Sequence, residues 1–270
     1  MKIKHVLSGV IMSVAAAVAP AHAAPILSDI VFVVDESGSM GNVQTNLRNN
    51  IGLFASILTG TGQVDAQYGL VGYGASSINP RMLTDFTNAG NFASAAQGLL
   101  TNGGTEPGYG AVGFALNALD GQTDTFSFRN NAVKNIIILT DEPSNGDHRY
   151  TVGGSTMTSS VLDMLLSDNN ALFNGVLRGA STLNSYTDLI TDHGGTVFDL
   201  TQFNTNNQQT VQDFVTLFAN TKLQETLDFC QLNPTNPACQ PSSDVPEPAS
   251  LGLLGLGLLG IFARYRRRFA

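Results

Sequence analysis

Positive charge is scarce in this 270-residue chain, which carries 13 Lys and Arg against 21 Asp and Glu. Six of those basic residues sit at the two ends (Lys2, Lys4, Arg264, Arg266, Arg267 and Arg268). Residues 24–263 therefore hold seven basic against 21 acidic side chains, a formal charge of −14. Such a body offers no basic patch to nucleic acid or to an anionic lipid surface. Cysteine is limited to Cys230 and Cys239, and no His lies near them. Two thiols are too few for a metal site of their own. Outside the first segment the only histidines are His148 and His193. No Ser/His/Asp arrangement with a nucleophile elbow is present, and no Cys is set for catalysis. No apolar run reaches the ~20 residues of a comfortable membrane span. There is no internal repeat.

The two longest apolar stretches lie at the ends. Lys2 and Lys4 precede an apolar core, Val6 to Val18, and Ala21-His22-Ala23 follows as a small-x-small cleavage site. That order is a secretory signal, residues 1–23, with cleavage expected after Ala23. At the other end Val245-Pro246-Glu247-Pro248 precedes the Leu/Gly run Leu251 to Ala263, which four arginines close. The Arg cluster favours holding that end on the cytoplasmic side of a membrane. Residues 246–270 resemble the PEP-CTERM sorting signal of Gram-negative bacteria, which implies processing by a membrane-bound exosortase; a plain tail anchor is the alternative. Either reading exports the domain to the periplasm, the outer surface or the extracellular matrix, with the membrane engaged through the C-terminal segment before processing. In an oxidising compartment Cys230 and Cys239, on one short turn-rich loop, are most simply a disulfide. The Pro-, Asn- and Ser-rich residues 228–245 read as a stalk.

Between the ends, strand-like and helix-like segments alternate, which predicts an α/β fold: a mostly parallel, doubly wound sheet with helices on both faces. Strands are expected at Ile30–Val34, Ala66–Tyr73, Asn135–Thr140, Ala171–Leu177 and Thr196–Leu200, with an edge partner at Arg81–Phe86. Helices are expected at Asn42–Leu58, Phe92–Leu100, Pro107–Leu119, Ser159–Leu166, Tyr186–Asp192 and Val211–Leu227.

The first of those strands runs straight into Asp35-Glu36-Ser37-Gly38-Ser39. A carboxylate and two hydroxyls at alternate positions thus stand where the strand ends, the place where open α/β sheets build binding sites. Oxygen-only donors on a tight turn suit a hard cation. On its own the pentad serves equally as a helix N-cap. Thr105, in Asn102-Gly103-Gly104-Thr105-Glu106-Pro107, and Asp141, at the end of Asn135–Thr140, add two oxygen donors at the ends of neighbouring elements. With these residues in place, residues 28–227 resemble the von Willebrand factor A domain. Asp35, Ser37, Ser39, Thr105 and Asp141 match, in order, its metal-ion-dependent adhesion site.

The resemblance implies a divalent metal, Mg²⁺ or alternatively Mn²⁺ or Ca²⁺. Ser37 and Ser39 would meet it directly, Thr105 directly or through water, and Asp35 and Asp141 through water. It implies adhesion rather than catalysis, with a partner that offers a carboxylate, on a protein or an acidic exopolysaccharide. Two alternatives stay open: a metal-assisted hydrolase using Asp141-Glu142, and a structural component of an extracellular polymer matrix. Gly108-Tyr109-Gly110-Ala111-Val112-Gly113 spells a dinucleotide fingerprint, but the strand that such a site needs does not precede it. Those glycines are expected to let the helix pack closely beside the metal site. Glu106, Glu142 and His148 lie near the proposed ligands in sequence and read as ordinary loop and helix-start residues.

Overall fold

The computed structural model describes residues 24–75 and 79–240. The secretory signal, the Pro-Glu-Pro motif and the arginine tail lie outside them. Among the described residues, no helix is long and apolar enough to cross a membrane.

Six strands form one sheet: β1 (Ile26–Asp35), β2 (Val64–Tyr73), β3 (Arg81–Thr87), β4 (Ala132–Thr140), β7 (Leu172–Leu177) and β8 (Val197–Asp199). Their order is β3-β2-β1-β4-β7-β8, with every neighbour parallel except the edge pair β2–β3. The chain winds outward from β1 in one direction, then returns to β4 on its other side. The crevice at the ends of β1 and β4 is therefore a topological switch point. A small hairpin, β5 (Thr151–Val152) with β6 (Ser155–Thr156), stands apart.

The apolar runs of β1 and β4 are buried on both faces, as parallel strands covered by helices must be. From β1, Ile30, Phe32 and Val34 enter one core, while Val31 and Val33 enter the other. The first core is closed by α1 (Gly41–Thr59), α2 (Ala89–Ala95), α6 (Leu200–Phe203) and α7 (Gln208–Leu232). The second is closed by α3 (Gly108–Ala115), α4 (Ser159–Asp168) and α5 (Ala180–Asp192). On α1 the stripe Val43, Leu47, Ile51, Phe54 and Leu58 is buried at helical spacing, and each large member contributes ~1.5–3 kcal/mol. Phe54 packs edge-on against Phe32 at 5.7 Å and meets Phe218 of α7 at 5.2 Å.

Several elements differ from expectation. The helix expected at Phe92–Leu100 begins three residues earlier, where Asn88 caps it by accepting from the Asn91 N–H. The helix expected to reach Leu119 stops at Ala115 because Asn117 is left-handed, with φ 61°. The Asn117 side chain instead exchanges two hydrogen bonds with the backbone of Phe126. The helix expected from Tyr186 starts at Ala180, and the strand expected to reach Leu200 gives way to the single turn α6.

The C-terminal part of the described chain also departs from a stalk. Residues up to Leu232 continue α7, and a 3-10 turn follows at Pro237–Cys239. Ala238 is buried with Val133 and Leu172, beside Ile26 and Phe229. Ile26, Val133 and Leu172 lie at the start of β1, β4 and β7, so the segment to Gln240 packs under the sheet, opposite the end that carries Asp35. A disulfide joins Cys230 to Cys239.

Candidate metal centre

Strand register determines which side chains can meet. Asp35 is the last residue of β1, Thr140 ends β4 beside it, and Thr140 pairs with Leu177 at the end of β7. The next residues, Asp141 and Arg178, therefore emerge side by side.

Asp35 is fully buried. One carboxylate oxygen accepts the Ser37 N–H at 2.7 Å, and the other accepts the Thr140 hydroxyl at 2.8 Å. The first bond folds the Asp35–Ser37 turn back on itself, and the second ties it to β4. Burial pushes the Asp35 carboxyl up to about 7, against the opposing pull of the Ser37 and Thr140 bonds. Ionised, this group needs a cation close by. Ser37 Oγ lies 3.0 Å from Ser39 Oγ, and Ser39 Oγ donates to Asp141 Oδ1 at 2.9 Å. Ser37 is nearly buried, while Ser39 is exposed. The result is a row of oxygens running from the interior to the rim.

The loop that carries Thr105 meets this turn at Gly103. Gly103 pairs with Ser37 in a parallel bridge and donates its N–H to the Glu36 carbonyl at 3.0 Å. A Cβ on Gly103 would lie 1.8 Å from the Gly74 carbonyl oxygen, so only glycine lets the two loops come this close. Two residues on, Thr105 is bracketed by Gly74 and by Gly146, whose φ is +79°. The Thr105 loop is fastened to the Asp141 loop as well. Glu106 N–H donates to Asn145 Oδ1 at 3.2 Å, Asn145 N–H donates to the Glu106 carbonyl at 3.0 Å, and Asn145 Nδ2 donates to the Glu106 carboxylate at 3.2 Å. Glu106 is buried, and that burial raises its carboxyl above the ordinary range. The structure thus links Asp35, Ser37, Ser39 and Asp141 through hydrogen bonds around one turn, and ties the loop that carries Thr105 to the Glu36 and Asn145 backbones; among the described residues it shows no direct contact of Thr105 with those four.

Four further residues shape the site and escaped the sequence reading. Thr140 supports Asp35. Gln44 of α1 donates to the Asp35 and Leu100 carbonyls at 3.2 and 2.7 Å. Glu36, inside the pentad, does not join the oxygen row. It lies fully buried against Gly72, accepts the Leu100 N–H at 2.7 Å, and is forked by Arg81 of the edge strand. Arg178 pairs with Asp141 Oδ2 from the side away from Ser39. A signal for Arg178 was available: it is the residue that follows the β7 strand run, just as Asp141 follows β4. By contrast, Glu142 and His148 are exposed. Asp147 is buried, and with Ser144 it caps α3 by accepting the Gly110 and Tyr109 N–H groups.

The glycines of 108–113 have a packing role. A Cβ on Gly108, Gly110 or Gly113 would press on Tyr186, Tyr150 or Met157 respectively. Loop residues, not a strand, lead into them.

All donors in the row are oxygens, two of them carboxylate groups and the rest hydroxyls. That set fits a hard divalent ion of the Mg²⁺ kind rather than a thiol- or imidazole-seeking metal. Among the described residues, no cluster of three or more His, Cys, Asp or Glu side chains forms a metal cage.

A doubly wound, mostly parallel sheet with helices on both faces and an oxygen-lined turn at its switch point defines a Rossmann-like α/β domain. Family comparison names it. The von Willebrand factor type A domain matches residues 29–214, and the chain belongs to that family. The PEP-CTERM protein-sorting motif matches residues 244–268. The two matches together mark an exported surface protein of the Gram-negative type, subject to exosortase processing. The search of curated proteins returned no match. Among solved structures, the crystal structure of the SpRpn10 VWA domain is similar at a TM-score of 0.50 and 18% identity, over 70% of this chain and 94% of that one. At that identity the likeness is one of fold.

Proposed function

We propose that this chain is an exported adhesion-type binding protein. Asp35, Ser37, Ser39, Thr105 and Asp141 would hold a divalent metal, which would supply the positive charge for a carboxylate of a partner protein or acidic exopolysaccharide. The observation that carries the reading is the oxygen row Ser37–Ser39–Asp141, set over the buried carboxylate of Asp35 at the sheet's switch point. A bound Mg²⁺ or Mn²⁺ would supply a concentrated positive charge with coordination positions left for outside oxygens.

The chain's own residues do the rest. Ser37 and Ser39 present neutral oxygens, which leave a cation's charge largely unspent. Asp35 holds the turn by accepting the Ser37 N–H, Asp141 accepts the Ser39 hydroxyl, and both supply the counter-charge. Gly103 and the Glu106–Asn145 bonds fix Thr105 at the rim. Residues 24–263 carry a formal charge of −14, so an anionic partner is repelled at long range and gains only at contact, where the ion would sit.

The binding reading is favoured over a hydrolase by the state of Asp141. Both its carboxylate oxygens are engaged, by Ser39 and by Arg178, and its neighbour Glu142 is exposed. Neither member of the Asp141-Glu142 pair is thus placed as a general base. Calorimetric titration of the exported protein with Mg²⁺ or Mn²⁺ tests the proposal. Saturable binding that Asp35→Ala abolishes supports it; equal binding by that variant overturns it.

A further inference from the structure

We propose that Arg178 is a built-in counter-ion of the metal site, one that a divalent ion must work against, so that it sets the site's metal affinity. The inference rests on the metal-site reading above and concerns a residue outside the matched five.

The geometry is specific. Asp141 is held at three atoms by three different groups. Ser39 Oγ donates to Oδ1 at 2.9 Å, Arg178 Nη2 pairs with Oδ2, and Thr182 Oγ1 donates to the backbone carbonyl at 3.0 Å. The last two come from one short segment, the end of β7 running into α5. Gly179, with φ +95°, turns the chain between them. The Asp141 side chain is only 4% exposed while that of Arg178 is 40% exposed, so the carboxylate is enclosed and the guanidinium is open to solvent on its outer side.

Two consequences follow from charge. The pair Asp35 and Asp141 would present two negative charges to an incoming ion. Arg178 cancels one of them, and the affinity of oxygen-ligand sites follows the count of ligand charge. Arg178 also brings a fixed positive charge within one carboxylate's width of the oxygen that Ser39 contacts. Arginine stays protonated at any working pH, so the opposition is permanent. A neutral or smaller residue at 178 would leave Asp141 free to lend its full charge to the metal. Arg178 acts through Asp141 and is a positioning residue.

The test compares Mn²⁺ titrations of the exported protein and its variants at low and at moderate salt. Arg178→Gln and Arg178→Met, which remove the charge and keep most of the stem, should bind Mn²⁺ about tenfold more tightly at low salt, by Coulomb's law in a partly solvated setting. The gain should shrink as salt screens it. Arg178→Lys, which keeps the charge, should stay near the parent affinity. A purely structural Arg178 would instead weaken metal binding in all three variants, and that result, or unchanged affinity in Arg178→Gln and Arg178→Met, overturns the inference. Asp35→Ala separates the two claims. If it binds Mn²⁺ as the parent does, the metal site itself is misassigned and the inference falls with it. If it abolishes binding while Arg178→Gln changes nothing, the site stands and the role of Arg178 does not.

Discussion

Replacing Arg81 by Met should destabilise the domain and loosen the metal turn together. Glu36 lies in the middle of the pentad with its side chain 1% exposed. Arg81 forks it through Nε and Nη2, and the same Nη2 donates to the Gly98 carbonyl at 2.8 Å. The Met variant would leave a buried carboxylate with one remaining bond, from the Leu100 N–H. Breaking one side of a buried pair costs about 3–5 kcal/mol. Arg81 is 36% exposed, so water can follow it in, and the lower end, about 3 kcal/mol, is expected here. For a domain of roughly 200 residues that corresponds to a fall in Tm of about 6–12 °C. Urea unfolding of the exported protein gives the same quantity. Glu36→Gln combined with Arg81→Met should recover much of the loss, because the amide still accepts from Leu100 and carries no charge. The double-mutant cycle isolates that coupling. Since Glu36 ties the turn to the 98–100 segment, Mn²⁺ affinity should weaken in Arg81→Met and return in part in the double variant. A loss under ~1 kcal/mol, or no recovery in the double variant, would refute the claim that a buried charge pair supports the turn.

Other expectations are as direct. Lys222 is wholly buried between Asn174 and Glu225, and burial lowers its amine pKa below the usual lysine range. Between that lowered value and about 10.4 only the unfolded chain is protonated there, so wild-type stability should rise with pH relative to Lys222→Met; a pH-independent difference between the two proteins contradicts this. Reducing Cys230–Cys239 should cost about 2–3 kcal/mol by the loop-entropy argument, read as a lower Tm with reductant; two free thiols in exported, non-reduced protein would contradict the bond. Gly108→Ala places a methyl 1.9 Å from the Tyr186 hydroxyl and should cost about 1–3 kcal/mol. Tyr186→Phe added to it should restore part of that loss, and a cost unchanged by the second substitution would argue against the contact.

The central strands and the site turn were readable because their signals are local. Ile30–Val34 and Ile136–Leu139 are unbroken apolar runs, and the helix over Asn42–Leu58 carries its stripe at regular spacing. Other features depend on partners distant in the chain. The first turns of α5 hold Ser181, Thr182 and Ser185, poor helix formers whose place is set by Thr182 reaching the Asp141 carbonyl. Arg178 becomes meaningful only once β4 and β7 are known to pair with Thr140 opposite Leu177. Glu36 reads as part of a polar motif, yet it turns away from that motif's oxygens because Gly72 leaves room beneath it. Asn233–Gln240 looks like a stalk by composition, and its docking depends on one small residue, Ala238, meeting Val133 and Leu172.

The most direct test of the account is a crystal of the exported protein soaked in Mn²⁺ and measured at a wavelength where manganese scatters anomalously. The account predicts a single strong peak within bonding distance of Ser37 Oγ and Ser39 Oγ, flanked by Thr105, Asp35 and Asp141. Manganese bound only elsewhere on the acidic surface, with that turn empty at saturating metal, would contradict it.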